Sequence, residues 1–164
     1  MFKLPLNSHN LPYPDTLHPI IVHFVIAMVL FSVFCDVLGF LTRHHRLFTV
    51  SFWNLVVASV SIFIAIIFGQ LEASLAEPYQ AVKPVLHLHT IIGWSLSAIV
   101  VGIMAWRGVL YYRNPLKVSC AYLGTGLLVT CLVFYQVFLG DQLAWVYGLH
   151  TVPVVEATKG GLLQ

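Results

Sequence analysis

Four apolar stretches organise this chain: Ile20–Leu41, Val50–Gln70, Val85–Trp106 and Val118–Gly140. Each is long enough to cross a hydrocarbon core of about 30 Å, which takes about 20 helical residues. Charged positions gather in the connections Thr42–Thr49, Leu71–Pro84 and Arg107–Lys117 and toward the termini. Connections this short place consecutive helices antiparallel. The pattern therefore predicts an all-α integral membrane protein, an up-down-up-down four-helix bundle over residues 20–140, with tails at 1–19 and 141–164. The first stretch is too long for the apolar region of a signal peptide, and no small-residue cleavage site follows it.

Composition agrees. The 164 residues are 59% hydrophobic and only 9% charged, whereas a soluble domain carries roughly a quarter charged residues. A net charge of +2 with no basic stripe leaves nucleic acid without a surface to bind. Cys35, Cys120 and Cys131 lie within or beside apolar runs and read as small buried hydrophobes. No CxxCH motif offers covalent haem attachment.

The distribution of Lys and Arg predicts an orientation. One side carries Arg43, Arg46, Arg107, Arg113 and Lys117; the other carries Lys3, Lys83 and Lys159. The positive-inside rule then places both termini, and both tails, outside the cytoplasm, in a multi-pass protein of a bacterial inner or thylakoid membrane. Trp106, Tyr111 and Tyr112 mark the inner interface, Trp145 and Tyr147 the outer.

Against this apolar background the histidines are conspicuous. His18-Pro19 and His23 open the first span; Pro84, His87 and His89 open the third. Proline suits a first helical turn, and an ionisable side chain inside a membrane is a functional candidate. Residues five apart diverge by about 140° around a helix and residues two apart by about 200°. His18 and His23 thus cannot share a face unless His18 caps the helix from outside, and His87 and His89 point opposite ways. Matching depths pairs His23 with His89, with His87 as the substitute. Gly93, one turn after His89, together with Ser97, Gly102, Gly124 and Gly126, permits close approach of a helix or of a planar macrocycle. A proline-histidine entrance in each half suggests a duplicated helical hairpin. His44 and His45 read as part of a solvated basic cluster. Asp36, Asn54 and Arg43 read as a polar group at the inner end. Glu72 reads as a loop acid or as an acceptor that orients a ligating imidazole.

The segment His18-Pro19-x-x-Val22-His23-Phe24-x-Ile26-Ala27 resembles the HPxxVHFPIA signature of the membrane family called domain of unknown function 2231, with Val25 where that family often has proline. His89 and Arg107 bracket the third span as the family's histidine and arginine do. Gly140-Asp141-Gln142-Leu143 through Tyr147-Gly148-Leu149-His150 is similar to its GGxLVYxHGxGV ending, with Ala144-Trp145-Val146 a departure. The resemblance runs from Asp15 to Val152 and implies four transmembrane helices; a b-type haem role is the expectation attached to it.

Three functions are compatible with these residues. One is a b-type haem electron-transfer or redox accessory protein, with His23 and His89 as axial ligands. A second is an outer-face zinc or copper site drawing on His18, His23, His87, His89 and His150, with Glu72 or Asp15. A third is a structural accessory subunit of a bioenergetic or photosynthetic complex. Expected partners are the lipid bilayer and other membrane subunits or a redox carrier on the outer face; a homo-oligomer is also compatible. No GxSxG, HExxH, P-loop or GxGxxG motif points to an enzyme with its own substrate pocket.

Overall fold

The computed structural model of the chain describes residues 17–75, 78–149 and 151–163. Helix α1 spans Leu17–Thr42, α2 Arg46–Leu75, α3 Lys83–Arg113 and α4 Cys120–Asp141. Helix α4 runs on through one π turn, Gln142–Val146, and a short α5 follows at Val152–Lys159. Four helices are long and apolar enough to cross a membrane. No strand occurs among the described residues. The protein is a multi-pass membrane bundle.

The helices form a closed ring. α1 packs on α2, α2 on α3, α3 on α4, and α4 returns to α1. The diagonal partners α1 and α3 stay apart at the backbone, so only long side chains bridge them. One end of the bundle, the His18 end, holds the starts of α1 and α3; the other, the Arg43 end, holds their C-termini.

Apolar residues surround every helix, as expected of a membrane span. Phe24, Phe31, Phe34, Phe63, Phe134 and Phe138 point outward. Lipid is as apolar as leucine, so burial does not drive helices together; small residues and hydrogen bonds must. On α2 the fully buried positions Ser51, Ala58 and Ala65 repeat every seven residues, which keeps one small-residue seam against a neighbour. A Cβ on Gly39 of α1 would meet the Phe48 ring at 2.9 Å, so the absent side chain is what seats that ring beside the α1–α2 turn.

The most telling packing lies at the Arg43 end. Arg107 of α3 and Asp36 of α1 are buried (0% and 1% exposed) and face each other across the diagonal at 3.7 Å. Ser51 donates to Asp36 Oδ2 at 2.5 Å, and Ser32 donates to the Ser51 carbonyl at 3.0 Å. Arg107 Nη2 donates to the Phe48 carbonyl at 3.0 Å. Its guanidinium lies 5.7–5.9 Å from the rings of Phe48, Tyr111 and Tyr122. The sequence reading set Arg107 in a connection and grouped Asp36 with Asn54 and Arg43. In the structure α3 runs six residues past Arg107, which carries that residue inside the bundle. Asn54 donates instead to the Val50 carbonyl of its own helix.

Equivalent positions in the two halves lie 71 residues apart. That shift carries His18 onto His89, Asp36 onto Arg107, Ser51 onto Tyr122, Ala65 onto Gln136 and Gly69 onto Gly140. The buried residues Val25, Val29, Ala58 and Ile62 map onto the buried Leu96, Val100, Val129 and Val133. The sequence shift of 71 residues thus sets the two α-hairpins in one register within the ring.

Removing the cation strands a buried carboxylate. Arg107→Met is expected to destabilise the protein by about 3–5 kcal/mol, and the double variant Asp36→Leu/Arg107→Met by clearly less than Arg107→Met alone. Denaturant or thermal unfolding in detergent measures both; equal losses in single and double variants would contradict a coupled pair.

Candidate functional site

Helix α1 includes Leu17 and His18, ahead of Pro19. His18 lies within the helix and turns to the interior, and His23, about 140° away, is exposed and bonds only its own helix, Nδ1 to the Pro19 carbonyl at 2.6 Å. His23, the depth-matched partner expected for His89, thus lies on the bundle's outer face, and the part-buried histidines at this end are His18 and His89. His87 is exposed, opposite in direction to His89 as the helical spacing requires. His150 and Asp15 lie outside the described residues.

Each interior histidine fits a notch on the following helix. His18 Nδ1 donates to the Ala65 carbonyl of α2 at 2.8 Å, which makes Nε2 the lone-pair nitrogen of that ring. One turn on, Gly69 makes room for the ring, since a Cβ there would lie 2.7 Å from His18 Cε1. In the second half, Gln136 of α4 donates Nε2–H to the His89 carbonyl at 3.0 Å and lies 3.2 Å from His89 Nε2. Gly140, one turn on, lies beside His89, where a Cβ would make an ordinary contact at 3.4 Å from Cε1. The two notches are the same device, 71 residues apart.

Two polar atoms of this cluster are buried with no hydrogen-bond partner among the described residues: His89 Nδ1 and Gln136 Oε1. Native interiors seldom leave such atoms unpaired, and each one calls for an explanation. Glu72, three residues past Gly69 on α2, is buried rather than a solvated loop acid.

The glycines divide by role. A Cβ on Gly93 would meet Gln136 Nε2 at 3.1 Å, so the space beside Gly93 holds an amide. Gly126 admits Val33 of α1. Gly102 and Gly124 have nothing within 4 Å of a Cβ. Among the described residues, which exclude His150 and Asp15, no three His, Cys, Asp or Glu side chains come together as a metal-ion site.

Sequence reasoning passed over Gln136, Ser51 and the burial of Arg107. An amide in the middle of an apolar run was the available signal for Gln136, as was a guanidinium only one residue past Trp106 for Arg107.

Residues 14–153 match the family model DUF2231, described as a predicted membrane protein. The chain belongs to that family. No curated protein and no solved structure matches it. The membership covers all four spanning helices, so the histidine cluster and the Arg107–Asp36 pair both lie within the family domain.

The notch makes a stability prediction. Gly69→Ala forces the His18 ring away and removes its bond to Ala65, a cost of about 1 kcal/mol. Gly102→Ala, with open space around it, is expected to be neutral or stabilising by up to about 1 kcal/mol through helix propensity. Unfolding midpoints in detergent compare the two; a Gly69→Ala protein as stable as Gly102→Ala contradicts the packing described.

Proposed function

We propose that this protein is a b-type haem protein of the membrane, a single-electron carrier or redox accessory subunit, with His18 and His89 as the axial ligand pair. The observation that supports the reading is two part-buried imidazoles at the same end of diagonally opposed helices, 71 residues apart in the chain. The donor chemistry fits. Axial haem ligation needs two neutral imidazoles, and helical bundles supply them from facing helices. A ligating histidine ordinarily donates its other ring N–H to a carbonyl, as His18 does to Ala65. The buried, unpartnered Nδ1 of His89 is the second point of fit. His18 and His89 would hold a haem, which would supply one-electron transfer there. The protein's own contributions are the notches that fix each ring, the Gln136 amide that holds His89, and the apolar surroundings.

A structural accessory role is the second reading. Its support is Gln136, which already engages His89 Nε2 and carbonyl; there the imidazole serves to fasten α3 to α4.

An optical spectrum separates them. Purified full-length protein reconstituted with haem should show a Soret band that shifts on dithionite, at one haem per chain at most. His18→Ala and His89→Ala should each remove most of that signal or convert it to high-spin. His44→Ala and His45→Ala should leave it unchanged, as should His23→Ala. Loss of the signal in His23→Ala with retention in His18→Ala restores the other histidine pair; no haem uptake by the wild type leaves the accessory role.

We also propose that both termini are extracytoplasmic. Arg107 is internal, so the positive-inside comparison rests on Arg43, Arg46, Arg113 and Lys117 against Lys3, Lys83 and Lys159. A reporter fused after Gln164 should be active only if it functions outside the cytoplasm; activity of a cytoplasm-only reporter there reverses the orientation.

A further inference from the structure

A groove of about 500 Å³ opens at the Arg43 end, between the α1–α2 turn and the chain leading into α4. Gly39, Phe48 and Val118 form its apolar part, and Arg43, His45 and Lys117 its polar part. We propose that this groove binds the headgroup of an anionic phospholipid, with the phosphate held between Arg43 and Lys117 and the acyl chains lying along Phe40 and Leu41.

Three observations converge. The first is charge. Arg43, Arg46, Arg113 and Lys117 stand at this end with no ion-pair partner among the described residues. The only described acid here is Asp36, which is buried against Arg107. Basic pockets between spanning helices are the usual place for anionic headgroups. The second is backbone conformation. Arg43 ends α1 with φ of 58°, a left-handed position where glycine is strongly favoured. The chain keeps an arginine there, and that arginine lines the groove. The third is amphipathic shape. The groove is the size of a small-molecule site, and it adjoins the outward-facing Phe40 and Leu41, 44% and 72% exposed. A soluble anion has no use for that apolar rim, whereas a lipid tail does.

The test is mass spectrometry of the delipidated full-length protein in detergent micelles, titrated with dioleoylphosphatidylglycerol, dioleoylphosphatidylcholine or inorganic phosphate. Phosphatidylglycerol should bind at one dominant site, at least tenfold tighter than phosphatidylcholine. Arg43→Gly/Lys117→Gln should lower that affinity at least tenfold. Glycine relieves the left-handed backbone at 43, so the thermal midpoint of Arg43→Gly should not fall, which separates lost binding from lost folding. Arg46→Gln/Arg113→Gln removes the same charge from the same end, outside the groove, and should change affinity less than twofold. Equal losses in both double variants would show attraction to a basic surface and overturn the site. Equal affinity for phosphatidylcholine, or displacement of the lipid by millimolar inorganic phosphate, overturns it as well.

Discussion

Inside a bilayer the polar side chains of this protein have only one another and the helix backbones as partners. Water cannot complete a hydrogen bond there, and lipid does not press helices together as water does. The bundle is organised around that constraint. Two polar layers cross the bundle: one ties α1 to α2 through His18 and α3 to α4 through His89, the other ties the diagonal helices α1 and α3 through Asp36 and Arg107. Between them the core is Val25, Val29, Ala58, Ile62, Leu96, Val100, Val129 and Val133. The apolar residues set the shape of the contact, and the polar layers set which faces meet.

The two layers follow from helix geometry. His18 and Asp36 are 18 residues apart, as are His89 and Arg107. Eighteen residues make about five complete turns and a rise of about 27 Å. Each helix therefore presents its two polar residues on one face, near opposite surfaces of the membrane. Serine and glycine at positions 51 and 69 of α2 keep the same interval. Asp36, Ser51 and Arg107 thus fall where a partner helix answers them, while buried Ser59 and Ser97 bond the backbone of their own helices.

Much of this is legible in the chain. The spans, their number and their antiparallel order follow from apolar length and short connections. The proline-histidine entrances pointed to the His18 end, and His89 was singled out there. The first helix was harder to place. Pro19 suggests a start at Ile20, which makes His18 a cap and turns His23 inward. The helix instead includes Leu17 and His18, and it is His18 rather than His23 that bonds a neighbouring helix. Arg107 was hidden differently. A charged residue just after an apolar run looks like a loop residue, and only its partner, on a helix 71 positions earlier, accounts for its burial. Gln136 became recognisable through its equivalence to Ala65, once the register between the halves was known.

That register carries a consequence at one pair of positions. Two identical hairpins closing around an axis would bring residue 36 of one against residue 36 of the other: carboxylate to carboxylate, or guanidinium to guanidinium. Like charges in a medium of low dielectric repel strongly. Here one copy holds Asp36 and the other Arg107, and the repulsion becomes attraction. Self-association of either half is disfavoured and pairing with its unlike twin is favoured. The histidines keep the same residue type at the equivalent positions 18 and 89, each bonded to the helix that follows it. At the Arg43 end the two halves are therefore complementary in charge rather than alike.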